Sequence, residues 1–95
     1  MTCYIISYEL RQQDNRQEQD LLAALEVFED RCKALSTVWF VCTPWTADKI
    51  RSHLSPYLGQ DNSLIVEPLA GTVGWIGSVR PVVKEWLERH RGPSN

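Results

Sequence analysis

The order of β-prone and helix-prone segments predicts an α+β domain of the ferredoxin-like type, βαββαβ with an antiparallel sheet, helices on one face and an additional C-terminal helix. Three observations carry that expectation. The chain opens on a β-prone apolar run, Cys3-Tyr4-Ile5-Ile6-Ser7-Tyr8. Two further β-rich runs, Thr37–Thr43 and Ser63–Glu67, are separated from it and from each other by stretches with helical spacing. At 95 residues there is room for one core, since a second would need roughly another 50 residues, so residues 1–95 read as a single domain.

The first strand runs into Glu9 and a polar loop over Arg11 to Gln17. Leu21, Leu25, Phe28 and Cys32 then recur at i, i+4, i+7 and i+11, one stripe of an amphipathic helix from about Arg16 to Lys33. Its other face carries Glu18, Glu26, Glu29 and Lys33, the last two at a favourable i, i+4 spacing. Ala34-Leu35 is short enough to be a brief strand of its own. Thr37-Val38-Trp39-Phe40-Val41-Cys42-Thr43 is β-branched and aromatic throughout and reads as a central strand covered on both faces.

Pro44 stops that strand because proline cannot donate to a sheet ladder. Thr46 is a good N-cap for a second helix from about Ala47, with Ile50, Leu54 and Leu58 on one side and Pro56 ending or kinking its last turn. Gly59 to Asn62 reads as a turn, Ser63–Glu67 as a strand closed by Pro68, and Gly71–Gly77 as a tightly turned segment. A final helix over about 78–90, capped by Ser78, has Pro81 in its first turn and an apolar face of Val79, Val82, Val83, Trp86 and Leu87. Residues 91–95 form a short tail. The second face of the sheet is left for this helix or for a partner subunit to cover.

Composition narrows the class. An apolar share of 43% and a charged share of 23% are those of a globular domain without disorder. No run approaches the roughly 18 apolar residues that span a bilayer, and no cationic, apolar leader precedes the first strand, so the expected location is cytoplasmic, with no membrane partner. Cys3, Cys32 and Cys42 contain no C-x-x-C pair and fall on apolar faces, so packing thiols are expected. A net charge of −2 argues against a general electrostatic grip on nucleic acid.

No Ser/His/Asp or Cys/His order has a supporting motif. The glycines at 71, 74 and 77 follow neither the dinucleotide nor the phosphate-loop pattern. His53 is expected on a polar flank of the second helix, and His90 at the end of the last one, where it complements the helix dipole. Candidate nucleic-acid contacts are Lys49 and Arg51 on the second helix and Arg80, Lys84, Arg89 and Arg91 along the last. Trp75, flanked by a glycine and close to another, is a candidate for base stacking or for anchoring a partner.

Together, Tyr-Ile-Ile-Ser-Tyr-Glu-Leu at the start, the Ser-Thr-Val-Trp-Phe-Val strand, the Thr-Ala-Asp-Lys-Ile-Arg-Ser-His-Leu helix start and the Ser-Leu-Ile-Val-Glu strand resemble the short proteins of the SinR family. These are in turn similar to the CRISPR-associated Cas-two family and the VapD-type toxins. The resemblance spans roughly residues 2 to 90. It implies a ferredoxin-like fold, a homodimer paired through its sheets, and an acidic residue near the dimer axis at the end of the first strand. The matching residue is Glu9, where the family commonly has Asp. Thr37 falls where the family has a Ser ahead of an apolar pair. If catalysis survives, the resemblance implies Glu9 and Thr37 as catalytic residues, Glu9 as ligand of Mg²⁺ or Mn²⁺, and phosphodiester hydrolysis. The extra methylene of Glu moves the carboxylate by more than about 1 Å, against the near-octahedral demand of Mg²⁺. One chain otherwise offers only Asp14 as a second carboxylate.

The reading that follows is a dimeric, catalytically silent module that binds a nucleic-acid (RNA or DNA) or protein partner. A metal-dependent endonuclease with paired Glu9 residues is one alternative. A small immunity or antitoxin-type protein-binding protein is the other.

Overall fold

In the computed structural model, described over residues 1–11, 15–59, 61–69 and 80–91, a four-stranded antiparallel sheet separates two apolar cores. The strands are β1 (Thr2–Glu9), β2 (Asp30–Leu35), β3 (Val38–Thr43) and β4 (Ser63–Pro68), in the order β2-β3-β1-β4. That is the order of a split βαβ arrangement, and the ferredoxin-like expectation holds. The helices are α1 (Asn15–Leu25), α2 (Ala47–Leu54) and α3 (Pro81–Arg91), with a 3-10 turn over Ser55–Tyr57.

Register divides the side chains between the two faces. Tyr4, Ile6 and Tyr8 alternate with Cys3, Ile5 and Ser7 along β1, and period-two alternation sends the two sets to opposite sides. The first set joins Leu21, Leu25, Phe28, Val41, Ile50 and Leu54 beneath α1 and α2. Ile6, Leu21, Leu25, Ile50 and Leu54 are wholly buried there, each contributing about 1.5–3 kcal/mol by leaving water. On the other face Cys32, Ala34, Phe40, Cys42 and Leu69 pack against Val83, Trp86 and Leu87 of α3. The final helix therefore covers this face over the β2–β3 side of the sheet.

α2 begins as its sequence predicts: the Thr46 hydroxyl accepts from the Lys49 amide at 3.1 Å. Pro56 lies in the 3-10 turn that follows Leu54 and so stops the α-helix. Gly59 takes φ of +69°, the left-handed conformation that ends the turn. β4 extends to Pro68, one residue beyond the expected end.

Four expectations are corrected. α1 ends at Leu25 and not at Lys33, because Asp30–Leu35 pairs with β3 as a full edge strand. Close turns at its end, with amide-to-carbonyl bonds from Glu26 to Ala23 and from Phe28 to Leu25, terminate the helix. The stripe Leu21, Leu25, Phe28, Cys32 is consequently split: Phe28 enters the core under α1 and α2, and Cys32 the one under α3. Glu29 and Lys33 are not helix neighbours.

Thr37 lies in the hairpin turn between β2 and β3 rather than in a strand. Its carbonyl accepts from the Tyr8 amide at 3.0 Å. Val82 is exposed rather than part of the buried face of α3. Finally, Cys3 and Cys42, directly opposed across β1 and β3, form a disulfide, and only Cys32 is a free thiol. The expected caps and contacts of Ser78 and Val79 lie outside the described residues.

No helix among the described residues is long and apolar enough to cross a membrane.

Candidate functional site

The β2 edge and α3 enclose a cleft of about 310 Å³, lined by Arg31, Cys32, Lys33, Arg80, Val82, Glu85, Trp86 and Arg89. Its positive charge follows from the fold. β2 is an edge strand, so its polar residues Arg31 and Lys33 flank the buried Cys32 at the sheet margin. Arg80 immediately precedes α3 and its guanidinium donates to the Lys33 carbonyl, tying the helix start to that margin. The Arg80 carbonyl in turn accepts from the Val83 and Lys84 amides in the first turn. Arg89 comes nine residues later on the same helix and lies 3.8 Å from Asp30 Oδ1.

Four cations therefore face one lining carboxylate, Glu85, in a chain that is net acidic overall. Among the described residues, Arg31 and Arg80 each use an N–H on a backbone carbonyl, that of Phe28 in the case of Arg31, at 2.8 Å. A guanidinium has five donors, so both keep donors for an anion. Cys32 sits beneath these groups. Burial raises its thiol above the ordinary value, an effect that Arg80 and Arg89 oppose and Asp30 reinforces.

At the far end of α3, Asp30 gathers three partners. Its Oδ1 accepts from Trp86 Nε1 at 2.9 Å, its Oδ2 lies 2.7 Å from His90 Nε2, and Arg89 adds its longer-range contact. Trp86 stacks on Phe40 with ring centroids 5.3 Å apart, and its own ring lies 4.4 Å from that of His90. Asp30 is thus the polar anchor that docks the C-terminal half of α3.

The structure separates the cations that the sequence grouped as contacts. Arg80 and Arg89 belong to the cleft. Lys84 is half-buried and outside its lining, and the side chain of Arg91, the last residue of α3, is not among the described side chains. Lys49 and Arg51 lie on α2, which packs on the opposite face of the sheet. There Lys49 sits over the Trp45 ring at 4.3 Å, and Arg51 pairs with Asp48 at 3.7 Å. Trp75 and Asp14 lie outside the described residues.

Glu9 ends β1 opposite Ser63 of β4, exposed, with Oε1 3.5 Å from Arg11 Nε. It borders a shallow groove of about 310 Å³ with Ser7, Tyr8, Ser63, Leu64 and Ile65, none of which is acidic. Mg²⁺ or Mn²⁺ takes several oxygen ligands, and a carboxylate normally has others beside it. The residues around Glu9 do not fit such an ion. Thr37, on the hairpin turn, is not among the residues that line this groove.

His53 is not the flank residue expected. Its Nε2 lies 2.9 Å from the Ala24 carbonyl, and its ring meets Phe28 and Trp45 edge-on at 6.2 and 5.4 Å, which joins α2 to the end of α1. A carbonyl partner requires that nitrogen to carry the proton, so His53 is a structural donor.

Arg31, Lys33, Asp30 and the Asp30–His90 contact were hidden in the sequence. The first three fall in a segment whose apolar spacing fits a helix, and only the alternation of Cys32 and Ala34 with the polar Arg31 and Lys33 signals the strand.

No protein-family model and no curated protein matches this chain. Its fold is similar to the crystal structure of a hypothetical protein, TT1823, from Thermus thermophilus, with a TM-score of 0.65 and 20% identity over 83% of this chain and 94% of that one. At that identity the likeness is one of fold.

Proposed function

We propose that the protein is a catalytically silent, ferredoxin-like binding module, related in design to the SinR and Cas-two proteins, that holds nucleic acid in the cleft between β2 and α3. The observation that carries this reading is the convergence of Arg31, Lys33, Arg80 and Arg89 on one concave surface of a chain whose net charge is −2. A local patch of this kind attracts phosphates at short range, while the acidic remainder disfavours indiscriminate binding. Glu9, exposed and shared with Arg11, supports a silent rather than a hydrolytic role. In this reading two copies pair across the β1–β4 side of the sheet, where Ile65 is 63% exposed.

The test is binding of labelled single-stranded RNA, with single-stranded DNA and duplex arms, followed over a salt titration. Affinity is expected to fall with salt at a slope of about −0.7 per phosphate engaged on a single strand. Arg80→Ala and Arg89→Ala are each expected to weaken binding and flatten that slope, whereas Arg51→Ala, on the other face, leaves both unchanged. Equal losses from all three variants, or no retention of any nucleic acid at low salt, would overturn the reading. The second result leaves the protein-binding alternative, including an immunity or antitoxin role.

A further inference from the structure

Three adjacent strands place Cys3, Cys42 and Asp30 in one row on the α3 face. Cys3 opposes Cys42 in the β1–β3 ladder, and Cys42 opposes Asp30 in the β3–β2 ladder. His90, from the last turns of α3, closes over this row. The Sγ atoms of Cys3 and Cys42 and a ring nitrogen of His90 all lie within 4.8 Å of one another. The Asp30 carboxylate adjoins them through its 2.7 Å approach to His90 Nε2.

The surroundings are those of a built site. Trp86 Nε1 donates to one oxygen of Asp30 and leaves the other toward His90, while the Trp86 ring lies against the imidazole. His90 Nε2 is shielded from solvent and, although close to Asp30, is not aligned with it for a hydrogen bond. A shielded nitrogen with an unused lone pair or proton, next to two sulfurs and an oriented carboxylate, has the donor set of a tetrahedral soft-metal centre. Tetrahedral Zn²⁺ with ligand bonds of about 2.0–2.3 Å holds its donors roughly 3.3–3.8 Å apart. Once the sulfur–sulfur bond is broken, the two sulfurs and the imidazole nitrogen, within 4.8 Å of one another, reach that spacing by moving about 1–2 Å. Asp30, beside His90, is the carboxylate at hand for the fourth position.

We infer that Cys3, Cys42, His90 and Asp30 form a Zn²⁺ site that alternates with the Cys3–Cys42 disulfide: metal under reducing conditions, disulfide under oxidising ones. The exchange balances. A dithiol reductant gives two electrons and two protons to the Cys3–Cys42 bond and itself becomes a disulfide, releasing two thiols. Both thiols lose their protons to solvent as Zn²⁺ binds, so the site gains a dication and sheds two protons. In either state a link holds at this position, but only the metal ties α3 to the sheet through His90. The site adjoins the basic cleft through Trp86 and Arg89, but none of its donors lines that cleft, and it stands independently of the nucleic-acid reading.

The experiment uses the full chain, reduced with a phosphine that is then removed, and titrated with Co²⁺ under anaerobic conditions. One equivalent is expected to produce thiolate-to-cobalt charge-transfer absorption and the intense ligand-field bands of a tetrahedral ion, both removed by one equivalent of Zn²⁺. The oxidised chain, of identical sequence, is expected to produce neither. Cys32→Ser should leave the spectrum unchanged, and Trp86→Phe should weaken binding by about tenfold through loss of the carboxylate's orienting donor. His90→Ala, at a partly exposed position near the helix end, should weaken it further and change the ligand-field envelope. Absence of the bands in the reduced chain, their loss in Cys32→Ser, or an unchanged spectrum and affinity in His90→Ala would each overturn the assignment.

Discussion

Trp86 reaches 56 residues back along the chain to donate its indole N–H to Asp30 at 2.9 Å, and this bond fixes where the last helix lands on the sheet. The same side chain is buried and stacks on Phe40, so one residue supplies both the apolar contact and the polar register of α3. Separating the two contributions is straightforward. Trp86→Phe keeps most of the aromatic packing and removes only the donor, at an expected cost of about 1–2 kcal/mol for a hydrogen bond to a partly exposed carboxylate. Trp86→Ala removes both and should cost about 3–5 kcal/mol. Urea unfolding of the two variants makes the comparison, and equal losses would show that the bond to Asp30 adds nothing.

Alkaline pH should weaken the fold through two acids that it holds protonated. Burial raises the Cys32 thiol above its ordinary 9.0, with Arg80 and Arg89 opposing. Burial likewise raises the Tyr8 phenol above 10.0, with Trp39 opposing and Glu18 adding to the rise. In both cases the unfolded chain releases its proton first. The contribution of each group is therefore complete below its unfolded value and is lost as pH rises through the folded one. Stability should be level in this respect up to about pH 8 and decline from about pH 9 upward. Urea midpoints measured across that range should show the decline, and Cys32→Ala with Tyr8→Phe should flatten it. A decline unchanged in the double variant would place its origin elsewhere.

Glu9→Ala should be silent. The carboxylate is 69% exposed and its partner Arg11 is 68% exposed, and such a pair contributes well under about 1 kcal/mol. Thermal unfolding should be unchanged, and assays on RNA and DNA with Mg²⁺ or Mn²⁺ should show no nuclease activity that depends on this residue. Hydrolysis present in the parent chain and lost in Glu9→Ala would return the residue to a catalytic role.

The sequence predicted the elements whose signals are local. β1 and β3 are β-branched and aromatic runs, α2 is marked by the Thr46 cap, and prolines stop β3, α2 and β4. Of β2 only the end at Ala34-Leu35 was legible, because Asp30-Arg31-Cys32-Lys33 has no strong β preference and Cys32 continues the spacing of α1. Its strand state comes from the ladder with β3, a long-range effect that outweighs local propensity.

The long-range origin of this strand hides half of the basic cleft. Arg80 and Arg89 were readable as cations on a late helix, whereas Lys33 read as part of the outer face of an early one and Arg31 carried no signal of its own. The pairing of Cys3 with Cys42 was equally invisible, since it depends on register between residues 39 apart in sequence. His90 read as a helix-end charge because nothing near it in sequence reveals the carboxylate of Asp30 across the fold.

The two-core plan has a bearing on how this chain tolerates change. The sheet keeps the cluster around Ile6, Leu21 and Ile50 apart from the one around Phe40 and Trp86, and distant sites that share no partners behave additively. Substitutions on the α3 side and on the α1–α2 side should therefore change the stability of the one domain by amounts that nearly add. A change in the last helix is thus tolerated only as far as the α1–α2 core leaves stability to spare, and a gain in one core offsets a loss in the other.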